Sequence, residues 1–259
     1  MSIEIDTKIQ KVVRLVHRKG IVTADLLRKE GVSYQSMLKY RHAHWLVPLG
    51  TGAFCASEEM PSLETAIKAM SEQLDLPVHI GGKSALLRQG IIHYVPLGGA
   101  SVILYLSRNR RLPKWFATSY AGQFTRDSSC LFTDKAGIEI DSAGIAISSP
   151  ERAFLEMAAD VPNKASIEEL FQLMELADTL RPQLVEEMLV KCKSIKAKRI
   201  FLLLGDDIGH WWIKKINRAG IDLGSGCRII EKGGVFHPKY NIVVKSWRGI
   251  DGNSLSQAD

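Results

Sequence analysis

Apolar positions at Ile5, Ile9, Val12, Val13, Leu15 and Val16 recur at helical spacing, with Lys8, Lys11, Arg14 and Arg18 on the rest of the wheel. The pattern predicts an amphipathic helix over residues 5–18, stopped by Gly20. Thr23 can cap a short helix over 24–30 that ends at Gly31, and Ser33 can cap a third helix over about 34–44. Two short apolar runs follow, 45–49 and 53–55, around the turn Gly50-Thr51-Gly52. Apolar runs flanking a glycine-rich turn predict a β-hairpin.

Three helices, a tight Gly31-Val32-Ser33 link between the second and third, and a hairpin together describe a winged helix-turn-helix over residues 1–60. The third helix of such a unit is the one that enters the major groove. On it Leu38 and Trp45, with Tyr34 and Met37 or Arg41, can face the core, leaving Gln35, Ser36, Lys39, Tyr40 and His42 to project outward. The candidate DNA-binding set is Thr23, Ser33, Tyr34, Gln35, Ser36, Lys39, Tyr40, Arg41, His42 and, on the wing, Thr51.

Charge supports that placement. The chain of 259 residues carries a formal net charge of +6 and has a sequence pI near 9.1. Residues 1–60 hold nine basic and six acidic groups, 61–148 nine and seven, and 149–259 sixteen and fifteen. Between Ile5 and Ser57 the acids are only Asp6, Asp25 and Glu30, so the N-terminal segment is the cationic one.

Met60-Pro61-Ser62 interrupts this pattern, and Ser62 can cap a helix over 63–74. Residues 61–259 read as a second domain in three parts: strand-rich over 76–148, helix-rich over 149–220, and closed by strands within 226–247. The expected strands are 78–80, 91–97 and 102–106, two or three more within 130–133 and 137–148, then 228–230 and 240–244. The expected helices are 83–88, 150–159, 166–179, 182–193, 197–204 and 210–219, with a polar tail over 249–259 that frays. The fold class is α+β: a winged helix-turn-helix followed by a larger mixed α/β domain ending in a helical, bundle-like part.

Several function classes recede. No run approaches the ~18 apolar residues that a membrane span needs, and the start MSIEIDTKIQ lacks the pattern of a signal peptide. A cytoplasmic protein without a membrane partner is expected. Cys55, Cys130, Cys192 and Cys227 are widely spaced, which fits buried or idle thiols. Gly81-Gly82-Lys83-Ser84 has Pro77 where a phosphate-binding loop requires glycine, so it reads as a tight strand-to-helix turn. Ser149-Pro150-Glu151-Arg152 is a helix start, with Ser149 as cap, Pro150 in the first turn, and Arg152 free to bind an acid or a carbonyl. His42-Ala43-His44 lacks further ligands for a metal. Asp206-Asp207 reads as an exposed helix end or a cap. The acidic run over 163–187 and the basic run over 188–199 read as solvated helix faces. No catalytic residue, cofactor or metal site is expected, and the chain reads as a non-enzyme.

Three segments in this order carry a family resemblance: the winged helix with Gly20-Ile21-Val22-Thr23 and Gly31-Val32-Ser33, residues 80–90 (IGGKSALLRQG), and residues 149–156 (SPERAFLE). Together they resemble the AbiEi-type antitoxins of type IV toxin–antitoxin systems, proteins of abortive infection. The resemblance covers residues 5–160 and extends through the Tyr240 strand. It implies a winged helix that binds inverted repeats in the operon's own promoter and represses it, and a larger domain that counters a cognate nucleotidyltransferase toxin. The wing departs from the family at Ala53-Phe54-Cys55, where relatives often carry tyrosine. Two other classes fit the residues: a winged-helix regulator whose second domain senses a ligand, and a nucleic-acid-modifying enzyme. The second would need a cluster of acids or histidines, which the sequence does not offer.

Overall fold

The computed structural model describes residues 8–92, 101–128 and 131–248. They fall into two compact units. The first lies within Met1–Ile80, Pro96–Ser129 and Ile140–Ile147, the second within Gly81–Val95, Cys130–Glu139 and Ser148–Asp259.

The first unit begins with α1 (Lys8–Lys19), β1 (Ile21–Thr23), α2 (Ala24–Lys29), α3 (Tyr34–His42), β2 (Val47–Gly50) and β3 (Ala53–Cys55). The three strands form an antiparallel sheet in the order β1-β3-β2. Local chemistry sets the helix starts. Thr23 Oγ1 accepts from the Leu26 amide at 3.2 Å and Ser33 Oγ from the Ser36 amide at 3.2 Å, each satisfying a donor that the helix cannot. Gly31 ends the second helix at φ +77°, where any side chain would be strained. Val12, Val16, Val22, Leu27, Val32, Met37, Leu46 and Phe54 form the core.

β1 was expected only as a cap region; pairing with β3 makes it a strand. Its other edge meets α4 (Leu63–Gln73), capped by Ser62 as expected. The buried Gln73 side chain accepts from the Thr23 amide and donates to the Ile21 carbonyl, both at 2.8 Å. One amide thus closes a strand edge that would otherwise be left unpaired. Residues 61–80 accordingly group with the winged helix.

Next come β4 (His79–Ile80) and, in the second unit, α5 (Gly82–Arg88). The first unit resumes with β5 (Val102–Tyr105), α6 (Lys114–Ser119) and β6 (Phe124–Asp127), and β7 (Ile138–Ile140) and β8 (Ala146–Ser148) follow. These strands make a five-stranded sheet in the order β6-β5-β4-β8-β7, parallel between β5 and β6 and between β4 and β8, antiparallel between β4 and β5. The boundary between the units falls inside β7 and β8.

The second unit is built on α7 (Pro150–Asp160), against which α5, α8 (Ile167–Glu175), α9 (Pro182–Lys191) and α10 (Ile195–Ile208) pack. Residues 151–158 of α7 are all buried. Its first turns carry charge inward, and each charge is met. Glu156 accepts from the Gly82 amide at 2.9 Å, from Ser148 Oγ and from Arg152 Nε at 2.9 Å. Arg152 also donates to the Ala136 carbonyl at 2.7 Å, so it binds both an acid and a carbonyl. Burial pushes the Glu151 carboxyl up, but the Arg181 guanidinium and amide outweigh it and hold the group below its usual range. A small sheet, β10-β11-β9, closes the unit from β9 (Arg228–Ile229), β10 (Val235–His237) and β11 (Ile242–Val244).

Several expectations are corrected. Residues 131–133 form no strand, and the proposed helix over 210–219 is a single 3-10 turn, Ile213–Lys215. Gly209 ends α10 at φ +79°, and the Trp211 and Trp212 indoles then donate to the Asp178 and Ala177 carbonyls at 2.7 and 2.6 Å. Two adjacent side chains bound to adjacent carbonyls do not suit one helix face. Asp206 and Asp207 lie in the last turn of α10, Asp206 half-buried and Asp207 exposed, and neither caps a following helix; both are engaged in side-chain bonds. Asp206 binds Arg218, Lys239 and Tyr240, and Asp207 binds Trp247 and Arg248. The basic run is a solvated face only in part: Lys191 and Lys193 are exposed, but Lys198 and Arg199 are 3% and 2% exposed. Of the strand expected over 91–97, Ile91 and Ile92 are irregular and the rest lies outside the described residues, as do residues 1–7, Cys130 and the tail.

Candidate nucleic-acid interface

Helix α3 is short, polar and free of acids. It buries one residue, Met37, with Leu38 and Tyr40 half-buried beside it. Tyr34, Gln35, Lys39, Arg41 and His42 are exposed, Ser36 is partly exposed, and Ser33 is exposed while its hydroxyl caps the helix. Tyr34 is 72% exposed, the most open of the large apolar side chains among the described residues.

Three orientations differ from expectation, the first being Tyr34, which was expected to face the core and instead stands in solvent. Trp45 was assigned to the core but is 47% exposed, and Leu46 takes the core position at 0%. The chain leaves α3 through Ala43 and through His44 at φ +58°, and this left-handed residue turns position 46 inward instead of 45. Tyr40, expected to project outward, packs in part against the core with its ring 6.0 Å from that of Trp45. Thr23 stands apart from the exposed set: it is 1% exposed, with its hydroxyl and amide both engaged within the unit. Thr51 is exposed at the tip of the β2–β3 turn.

Other candidate chemistry resolves into structure. His42 and His44 are both exposed, and among the described residues no group of three or more His, Cys, Asp or Glu could hold a metal ion. Cys55 and Cys192 are buried, and burial raises both thiols, which suits inert cysteines; Cys227 is exposed. Among the described residues no helix is long and apolar enough to cross a membrane.

The structure also brings forward residues that motif reading missed. Arg108, Arg110, Arg111 and Lys114 are all exposed in the first unit, on the loop before α6 and at its first residue. Helix α6 in turn packs on the wing. A Cβ on Gly50 would stand 2.7 Å from Trp115 Cβ, and Ser119 Oγ donates to the Leu49 carbonyl at 2.8 Å. A signal was available, because seven Lys and Arg and no acid lie between Asp75 and Asp127.

Helices α1 to α3 and the β1-β3-β2 sheet define a winged-helix protein, with an exposed third helix and a hairpin wing. Residues 5–97 match the family model described as a transcriptional regulator, AbiEi antitoxin N-terminal domain, and residues 100–245 the model described as a transcriptional regulator, AbiEi antitoxin, of a type IV toxin–antitoxin system. The chain belongs to the AbiEi antitoxin family of transcriptional regulators. It is also similar to the crystal structure of the RV2827C protein from Mycobacterium tuberculosis, at 16% identity and a TM-score of 0.56 over 92% of this chain and 90% of that one. At that identity the likeness concerns the fold. No curated protein matches the sequence.

Proposed function

We propose that this chain binds duplex DNA at inverted repeats in its own promoter and represses its operon, and that residues 61–259 counter a cognate nucleotidyltransferase toxin. The observation that carries the first half is α3, a capped helix with an exposed, acid-free face of Tyr34, Gln35, Ser36, Lys39, Arg41 and His42. Gln35 offers the amide that pairs with adenine edges, and Lys39 and Arg41 offer cations for guanine or phosphate. Ser33 and Tyr40 flank this face, and Thr51 extends it onto the wing. Thr23 serves it indirectly by capping α2. The family description, which joins regulator and antitoxin in one chain, supports the second half.

Anisotropy with a labelled duplex from upstream of this gene tests the reading. In the full chain, Lys39→Ala with Arg41→Ala should weaken binding at least tenfold and lower the magnitude of the salt slope by about 2. Unchanged affinity and slope would overturn the assignment. The same variant, co-expressed with the toxin, should still rescue growth. Loss of rescue by a folded protein would show that the two activities share α3.

A further inference from the structure

We propose that the loop over residues 107–114 is a second contact with the DNA backbone, in which Arg108, Arg110, Arg111 and Lys114 supply the cations that the wing lacks. The inference rests on the DNA-binding reading above and extends it to a segment outside the winged helix.

Four observations converge. The wing itself, residues 47–55, has no charged side chain, so it can offer phosphates only neutral donors. Next to it, Lys114 opens α6 and is followed at once by Trp115, the residue that closes on Gly50 at the wing turn. The loop is held in shape by the Arg126 side chain of β6 and by its own main chain. Arg126 donates to the Ser107 and Arg110 carbonyls at 3.2 and 2.8 Å, and the Arg110 amide donates to the Ser107 carbonyl at 3.0 Å. Finally, Arg108, Arg110, Arg111 and Lys114 are all exposed and form no ion pair among the described residues. Elsewhere in the first unit exposed cations do find acids, as in Lys19–Glu72 and Arg28–Asp25.

Four unpaired cations on a braced loop beside a neutral wing form a complement to a polyanion. The packing of α6 on the wing, in the same compact unit as the acid-free helix α3, selects duplex DNA over an acidic protein as that polyanion. The contact is with phosphates, since residues 107–113 lie outside any helix or paired strand, the elements that enter a major groove to reach base edges. It should therefore add affinity without adding sequence preference.

The test compares the full chain with its Arg108→Ala, Arg110→Ala, Arg111→Ala, Lys114→Ala variant, on a labelled promoter duplex and a scrambled duplex of equal length, across a salt series. Binding to both duplexes should fall by a similar factor, tenfold or more at low salt. The magnitude of the log–log salt slope should drop by about 2–4, near one unit per phosphate released. The preference for promoter over scrambled duplex should be preserved, and the hydroxyl-radical footprint should shorten at its outer flank. Lys214→Ala with Lys232→Ala, exposed in the second unit, should change neither slope nor footprint. If the fourfold variant does not fold, Arg110→Gln with Arg111→Gln should give about half the slope change.

A folded fourfold variant with the parent's slope and footprint overturns the inference. If the α3 double variant is weakened in the same experiment, the DNA-binding reading survives. A variant that loses promoter preference while keeping its affinity for scrambled duplex also overturns it, because that would be base reading. A parent chain that binds neither duplex overturns both.

Discussion

The two units hold cations of similar number but use them in opposite directions. In the second unit several point into the protein, although others such as Lys193, Lys214 and Lys232 are exposed. Arg199 donates to the Leu223, Gly226 and Asn241 carbonyls at 2.8, 2.8 and 2.7 Å and to Gly224 at 3.2 Å. Lys198 donates to the Asp222 carbonyl at 2.9 Å, and Lys196 to the Ala159 and Val161 carbonyls. Arg152, Arg181 and Arg218 are bound to carboxylates. In the first unit, by contrast, Lys39, Arg41, Arg108, Arg110, Arg111 and Lys114 remain in water. Net charge by itself therefore says little about partners; what matters is whether the protein has already engaged its cations.

The reason for the inward use is the chain over 222–226, which passes α10 without a sheet to satisfy its carbonyls. The five donors of a guanidinium suit such a crowd of acceptors. Arg199→Ala would take the donor from four part-buried carbonyls, at about 1–3 kcal/mol for each group that water cannot then reach. A loss of about 2–4 kcal/mol is expected from urea unfolding, with only partial recovery in Arg199→Lys, whose ammonium lacks the planar fork. Arg152→Ala should cost about as much, by stranding Glu156, whereas Ser149→Ala should cost ~1 kcal/mol as a lost cap. A loss below 1 kcal/mol at Arg199 would break the contrast between the units.

Acidification sharpens the same contrast. Burial raises the Asp206 carboxyl, but hydrogen bonds from Arg218, Lys239 and Tyr240 dominate and lower it to about 2. A depressed carboxylate contributes stability above its unfolded pKa, and that stability is lost as pH falls through the folded value. For Asp206 the window runs from 3.8 down to about 2. Asp206→Asn should cost about 1–2 kcal/mol at neutral pH, after allowance for partial solvent screening, and almost nothing near pH 2. A parent–variant difference that persists undiminished at the acid end would assign the role of Asp206 to shape and not to charge.

Legibility in the sequence divides along a related line. The caps at Thr23, Ser33, Ser62 and Ser149 were readable because a cap is decided within four residues. The winged helix was readable because its helices follow one another with glycine stops at Gly20 and Gly31. The inward cations were not, because what surrounds Lys198 and Arg199 comes from residues more than twenty positions away. In the site, Gln35, Lys39 and His42 were placed correctly as exposed and the choice between Met37 and Arg41 for the core stayed open, while Trp45 and Leu46 were exchanged. The φ of His44 decided that exchange, and a non-glycine residue gives little notice of a positive φ. Helix α6 and β6 also went unread, since six and four residues hold too little periodicity.

The smallest effect expected is on the stability contributed by the outward cations. Lys39, Arg41, Arg108, Arg110, Arg111 and Lys114 bind no acid among the described residues, so replacing any of them by alanine removes no buried contact. Each should move the unfolding free energy by no more than about 0.5 kcal/mol. The sign should lean toward stabilisation for the loop residues at low salt, because Arg108, Arg110 and Arg111 lie close in sequence and repel one another; added salt should erase the gain. Denaturant unfolding of Arg110→Ala at low and high ionic strength reads both points. A loss above about 1 kcal/mol that is insensitive to salt would place Arg110 with Arg199 as a structural cation, and the loop would then have no free charge to give to a phosphate.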